Sequence, residues 1–185
     1  MDFLKAVLSP SRVAHSLRVA EEAERLAAIH GEDTFRAHLA GLLHDCARDL
    51  PWETLREFLP PYIQENDFPI PEVFHAFAAP AIIERELGLR DFRIFRAIRW
   101  HATGCEWMSA LDRIVFVADI AEPGRDFPEA REIRQWAYSD LRMGYVLALR
   151  TKIEYLLRTY GVVALESLRS WNREIGMLRK EGKMP

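Results

Sequence analysis

Residues Leu111–Ala121 read LDRIVFVADIA, and the IVFVADIA within it is the most apolar stretch of the chain. By composition it would serve as a strand, since Ile114, Val115, Phe116 and Val117 all suit a pleated, buried surface. Its length, the Asp112-Arg113 pair near its start and the Glu122-Pro123-Gly124 stop behind it favour a buried helix instead. Read as a helix, it leaves no segment that demands a sheet. It also sets Asp119 among apolar neighbours. An ionised carboxylate there costs several kcal/mol unless an Arg, a helix N-terminus or a metal compensates it.

Helix signals continue in both directions. Ser9-Pro10 opens a helix that runs to His30, with Gly31 as its stop. Asp33 caps a second helix expected to reach about Asp49, before Leu50-Pro51. Trp52 to Phe58 forms a short piece ended by Pro60-Pro61. Asn66 to Glu72, with prolines at 69 and 71, reads as loop. Val73 to Leu87 is helical up to Gly88, with Pro80 expected to kink it or to fall in its first turn. Asp91 caps a helix to about His101, Ala102-Thr103-Gly104 is a loop, and Ser109 caps the opening stretch. Pro128 starts another helix, and Asp140 to Tyr160 is long and amphipathic. From about Arg173 to the end the chain is polar, and a loose tail is expected there. No repeat, low-complexity tract or hairpin alternation interrupts the pattern. The fold class is therefore all-α: one helical bundle over residues 1–185, with its core in about 11–172.

Composition narrows the function. The 185 residues are 49% hydrophobic, enough for a substantial core, and the net charge is −3. Wholesale nucleic-acid binding would favour a basic chain. An anionic ligand would need local positive charge, from clustered Arg or from metal ions. The two cysteines, Cys46 and Cys105, belong to no CxxC pair, which argues against a disulfide framework or a structural zinc site. The N-terminus lacks the pattern of a signal peptide, and no apolar run approaches the ~20 residues a membrane span needs. A soluble protein of the reducing cytoplasm is expected.

Six histidines are present. His15 shares a helix face with Val19, Glu22 and Leu26. His44 and Asp45 stand side by side in AGLLHDCARDL, one turn after the small residues Ala40 and Gly41, which would admit a second helix at close range. His75 lies in VFHAFAAP, and His101 ends an apolar helix. Any one of these is ordinarily a core histidine satisfied by one hydrogen bond. His30 suits a helix C-terminus, and His38 carries no clear signal. Four histidines and two aspartates in otherwise buried positions are another matter. A pack of apolar helices offers them no partners but each other and a metal.

The order His15, His44-Asp45, His75, His101, Asp119 resembles the HD-domain metal-dependent phosphohydrolases. RVAHSLRVAEEAERLA, AGLLHDCARDL, WHATG and DRIVFVADIAEPGRDF are similar to the branch called YqeK-type, which contains symmetrical bis(5′-nucleosyl)-tetraphosphatases. The similarity runs from about Ser11 to Asn172. One departure is visible: the family pattern His-Thr-Thr-Gly is His101-Ala102-Thr103-Gly104 here. The resemblance implies two divalent transition-metal ions. His15, His44, Asp45 and Asp119 would hold the first, and Asp45, His75 and His101 the second, with Asp45 bridging. Consecutive residues of a helix point about 100° apart, so His44 and Asp45 would reach one site from different angles. The nitrogen and oxygen donors suit iron, manganese, cobalt, nickel or zinc better than calcium or magnesium, and the family implies iron. The nucleophile would be a water bridging the metals, with Asp45 in the catalytic centre. Arg48, four residues after His44, and Arg125, in the loop after Asp119, would grip phosphate and assist catalysis, with Thr103 a further donor to substrate. Glu122 would orient a water or ligand, or cap its loop, and Cys46 would be packing.

The implied reaction is symmetrical cleavage of diadenosine tetraphosphate into two ADP. Two other readings stay open. One is a nucleotidase or a phosphodiesterase of signalling nucleotides using the same site. The other is a non-catalytic nucleotide-binding helical module, against which the complete His44, Asp45 and Asp119 set argues. The expected partners are a dinucleoside polyphosphate or nucleoside diphosphate, with neither nucleic acid nor membrane. The oligomeric state is open, a homodimer through the long C-terminal helix among the outcomes.

Overall fold

The computed structural model describes residues 1–61, 63 and 71–183. Among them are ten α-helices and no strand: α1 (Asp2–Val7), α2 (Pro10–His30), α3 (Thr34–Leu43), α4 (Trp52–Phe58), α5 (Phe74–Leu87), α6 (Phe92–Trp100), α7 (Ala110–Ala121), α8 (Pro128–Ser139), α9 (Leu141–Tyr160) and α10 (Leu165–Lys180).

The stretch that decides the fold is α7, and it lies at the centre. Every residue from Leu111 to Ala121 except Arg113 is buried, which is why its composition imitates a buried strand. Its N-terminus is a reciprocal capping box. Ser109 Oγ accepts from the Asp112 N–H, and Asp112 Oδ2 accepts from the Ser109 N–H at 2.7 Å. At its C-terminus Arg134, on α8, donates to the carbonyls of Ala121 and Glu122, at 2.6 and 3.3 Å. Helices α2, α3, α6, α8 and α9 pack around α7.

The expected boundaries hold at most ends. Asp33, Asp91 and Asp140 each cap their helix by accepting backbone N–H groups, and Gly31, Gly88 and Gly161 end α2, α5 and α9 in the left-handed conformation. Pro80 lies inside α5, beyond its first turn.

Two expectations change. The second helix stops at Leu43 rather than Asp49, with His44 as its C-cap. The His44 ring takes the Gly41 carbonyl at 2.7 Å, and the chain continues through turns closed by Arg48 N–H to Asp45 O and Leu50 N–H to Ala47 O. The tail from Arg173 is not loose up to Lys180. It is the second half of α10, held because the buried Glu174 pairs with Arg113 at 2.6 Å and Arg142 at 2.7 Å while Leu178 enters the core. α1, which no sequence signal marked, adds Leu4 to the core. The loop expected over 66–72 lies outside the described residues up to position 70, and Pro71–Val73 form one 3-10 turn.

The crossing of α2 and α3 positions the site. A Cβ on Gly41 would sit 3.0 Å from both the Cα of Ala20 and the carbonyl oxygen of Val19. The two backbones meet here because position 41 has no side chain. The crossing brings the His15 and His44 rings to a centroid separation of 5.3 Å.

Candidate metal centre

Three of the histidines are aimed by one local device. Each stands at or beside a helix end and donates its Nδ1–H to the carbonyl three residues earlier. His44 reaches Gly41 at 2.7 Å, His75 reaches Glu72 at 2.5 Å and His101 reaches Ile98 at 2.6 Å. Contacts this short between nitrogen and a carbonyl oxygen require the proton to lie on Nδ1. The carbonyls at Gly41 and Ile98 belong to the last turns of α3 and α6, where helices leave acceptors unpaired. His15 obtains the same orientation from a carboxylate: its Nδ1 is 3.1 Å from Glu122 Oε1. Glu122 is itself fixed by Arg18 at 2.8 Å and by the Gly124 N–H.

With all four Nδ1 atoms engaged outward, all four Nε2 atoms face inward, where they meet two carboxylates. His15 Nε2 is 3.1 Å from Asp119 Oδ1. His44 Nε2 is 3.6 Å from Asp119 Oδ1 and 3.7 Å from Asp45 Oδ2, and it has no hydrogen-bond partner among the described residues. Asp45 Oδ1 is 2.9 Å from His75 Nε2 and 3.5 Å from His101 Nε2, and those two nitrogens are 3.1 Å apart. Each Nε2 carries a lone pair, and so does each carboxylate oxygen. Lone pairs this close in a buried site repel unless a cation lies among them. The side chains divide into overlapping triads whose donor atoms all lie within 4.8 Å of one another: His15, His44 and Asp45; His44, His101 and Asp119; Asp45, His75 and His101. The donor set therefore fits divalent metal. Its outward Nδ1 hydrogen bonds are the support that metal-bound imidazoles ordinarily have.

The electrostatics agree. Burial dominates His101 and pushes its pKa down to about 4; it lowers His75 as well, so both rings are neutral at pH 7. Burial alone would raise Asp45 and Asp119. The surrounding imidazoles outweigh it, and both carboxyls are held well below the usual range. At His44 the burial effect is overcome by Asp45 and Asp119, and the pKa rises. Two carboxylates thus hold a field that draws positive charge to His44 Nε2.

All six expected ligands converge, but the reason given for His44 and Asp45 changes. They do not project from a continuous helix at a fixed angle. His44 caps α3 and Asp45 lies in the following turn, so the chain itself redirects the second side chain. The same break alters Arg48, whose Nη1 donates to the Glu72 carbonyl at 2.8 Å and lies 3.2 Å from His75 Nδ1. Arg125 is exposed and donates to Asp119 Oδ1 and to the Asp119 carbonyl, both at 3.1 Å. Thr103 is engaged elsewhere: it is buried, its hydroxyl donates to the Gly104 carbonyl at 2.9 Å, and its own carbonyl accepts from Ser167 on α10 at 2.7 Å. That sets it apart from Arg48 and Arg125 among the expected substrate contacts. Ala102, where the family pattern has Thr, sits in an apolar cluster with Val73, Phe74, Phe77, Leu156 and Ala164, a place that suits a methyl group.

Two cations at the site carried no local signal in the sequence. Lys152 reaches in from α9, with Nζ 3.9 Å from Asp119 Oδ2, and donates to the His101 carbonyl at 3.2 Å. Arg12, one turn before His15, lies 3.8 Å from Asp45 Oδ2 and 2.5 Å from Asp49. Cys46 is fully buried and its thiol is pushed up to about 12, so it is packing. His38 pairs with Glu24 at the surface, and His30 ties the end of α2 to the Ala137 carbonyl.

A family model of the HD domain matches residues 12–124, from just before His15 to just after Asp119. The chain belongs to the HD-domain family. Among its HD relatives, the symmetrical bis(5′-nucleosyl)-tetraphosphatase of Bacillus subtilis is 30% identical over 91% of this chain and 92% of its own length. The enzyme of the same name from Staphylococcus aureus is 37% identical over 73% and 71%. A crystal structure from Clostridium acetobutylicum, described as a predicted HD superfamily hydrolase involved in NAD metabolism, superposes with a TM-score of 0.88. It is 32% identical, with 95% of each chain covered. The all-α HD fold therefore extends over the chain beyond the matched segment, α9 included. No helix among the described residues is long and apolar enough to cross a membrane.

Proposed function

We propose that this HD protein is a metal-dependent phosphoanhydride hydrolase that cleaves diadenosine tetraphosphate symmetrically into two ADP. The observation that carries the chemistry is the inward convergence of four Nε2 lone pairs on Asp45 and Asp119. The relatives' names carry the substrate.

His15, His44, Asp45 and Asp119 would hold one divalent ion and Asp45, His75 and His101 a second, with Asp45 offering one oxygen to each. Two such ions supply a water of lowered pKa and neutralise phosphate oxygens. The donor set has no thiolate, which suits iron, the family's metal, and also manganese, cobalt, nickel or zinc. The chain's own part is positioning. Burial and the outward Nδ1–H bonds keep His75 and His101 neutral and aimed, so that they bind without competing for a proton. Arg125, 3.1 Å from Asp119, and Arg48, 3.2 Å from His75, lie beside the donor cluster and would take non-bridging phosphate oxygens. The leaving group is a nucleoside diphosphate whose terminal phosphate has a pKa of about 6, so it departs without a dedicated general acid.

The test incubates metal-loaded protein with diadenosine tetraphosphate and separates the products, alongside elemental analysis. ADP as sole product with two metals per chain is expected. AMP plus ATP, or no turnover with any of the five metals, overturns the reading. A panel of mononucleotides and signalling nucleotides under the same conditions tests the other phosphoester substrates.

A further inference from the structure

Four cationic side chains surround the donor cluster, and they divide evenly. Arg12 and Arg48 belong to the Asp45 half: Arg12 Nη1 lies 3.8 Å from Asp45 Oδ2, and Arg48 Nη1 lies 3.2 Å from His75 Nδ1. Arg125 and Lys152 belong to the Asp119 half, at 3.1 Å from Oδ1 and 3.9 Å from Oδ2. The two carboxylates meet at His44 Nε2, 3.7 and 3.6 Å away. Asp119 already has His15, and Lys152 is drawn from α9, outside the segment that makes the HD motif. Its ammonium lies over the Phe116 ring, with Nζ 5.1 Å from the ring centre. All four side chains keep partial access to solvent.

From this arrangement we infer that Arg12 and Lys152 are the outer contacts of a four-phosphate chain, and that two cations on each half select a tetraphosphate cut at its centre. The inference deepens the proposed reaction and rests on it for the position of the cut. A dinucleoside tetraphosphate carries one negative charge on each of four phosphates. With its central anhydride over the carboxylate pair, two phosphates fall to each half, one cation for each. A shorter chain leaves an outer cation without a partner. Lys152, a compact point charge, and Arg12, which shares its charge with Asp49, hold the phosphates next to the nucleosides. Water adds to an inner phosphorus, the central P–O bond breaks towards the other inner phosphate, and both protons of the water are released as the terminal phosphates of the two nucleoside diphosphates ionise.

The experiment measures calorimetric binding of linear inorganic tetraphosphate and of pyrophosphate to metal-loaded protein, wild type against Lys152→Met and Arg12→Gln. Met keeps an unbranched side chain and removes the charge at position 152, and Gln removes the charge at position 12. Each variant is expected to lose about tenfold in affinity for tetraphosphate, the loss of one charge-assisted contact, and less than twofold for pyrophosphate. Metal content stays at the wild-type value. In the hydrolysis assay, KM for diadenosine tetraphosphate rises while kcat changes little. Equal losses for both anions, no loss for either, or a fall in bound metal overturns the inference. Should Arg12→Gln unfold because Asp49 loses its partner, Lys152→Met alone decides. A wild type that binds tetraphosphate more tightly than pyrophosphate but hydrolyses no dinucleoside polyphosphate removes the proposed reaction and leaves the clamp standing.

Discussion

The Nε2 atoms of His75 and His101 lie 3.1 Å apart, and neither carries the proton between them. Each ring has given its hydrogen to a backbone carbonyl on the other side, Glu72 for one and Ile98 for the other. Asp45 Oδ1 joins the pair from 2.9 Å. Three electron-rich atoms in a buried pocket are a stable arrangement only around a cation.

Metal should therefore be a large part of the protein's stability. At a free metal concentration 1,000-fold above Kd, linkage gives about 4 kcal/mol, which for a chain of this size is a rise in Tm of about 10 °C. Thermal unfolding with and without chelator measures it. A Tm that ignores chelation would contradict the site.

Glu122 holds His15 as the backbone carbonyls hold the other rings. Its replacement in Glu122→Gln leaves shape and removes the charge that keeps the Nδ1–H pointed outward. Metal affinity should fall about 10- to 100-fold, with the loss confined to the ion that His15 shares. A competition titration against a coloured chelator reads the two sites separately.

Asp45 is the bridging candidate. In Asp45→Ala both ions lose a ligand, so elemental analysis should fall from two metals to fewer than one per chain, with hydrolysis lost alongside. Unchanged metal content in this variant would contradict the bridge.

Gly41→Ala adds one methyl group where two helix backbones touch. With Ala20 Cα and Val19 O each 3.0 Å from the new Cβ, neither neighbour is a side chain that can turn away. We expect a loss of about 1–3 kcal/mol in denaturant unfolding, as for other overpacked contacts. Activity should fall further than stability alone explains, because α2 carries His15 away from His44.

Glu22 gives a pH dependence of known sign. It is buried in α2 with Arg25 Nη1 at 4.0 Å, and neither carboxylate oxygen accepts a hydrogen bond among the described residues. Burial raises its pKa, and Tyr138 and Arg25 offset only part of that. The folded state then binds this proton more tightly than the unfolded state. The group's contribution is therefore fully present below the unfolded value and is lost as pH rises through the folded one. Glu22→Gln should be more stable than wild type at pH 7, by about 1 kcal/mol, with the difference vanishing below pH 4. Urea unfolding at a series of pH values measures it.

Much of this was legible in the order of residues. Helix starts at Asp33, Asp91, Ser109 and Asp140 are written in side chains that cap their own backbone, a local interaction that needs no partner from elsewhere, and the start at Pro10 in a first-turn proline. The buried helix at 111–121 could be told from a strand by its boundaries, and the six ligand candidates by their polarity in apolar surroundings. Two kinds of feature were not legible. The end of α3 depends on a ring taking a carbonyl, which neither periodicity nor a proline announces. The order of the C-terminal segment depends on Glu174 meeting Arg113 and Arg142, residues 61 and 32 positions away.

By itself, then, the sequence determined the all-α class, most helix boundaries and which residue types a metal would find, because these follow from short-range periodicity, capping and the cost of burying charge. Tertiary structure alone decided that four rings present the same nitrogen to one point, that Lys152 and Arg12 join them, and that Thr103 turns to the loop instead. Those outcomes rest on where a helix end, a carbonyl or a second helix comes to lie in space, and no spacing along the chain encodes that.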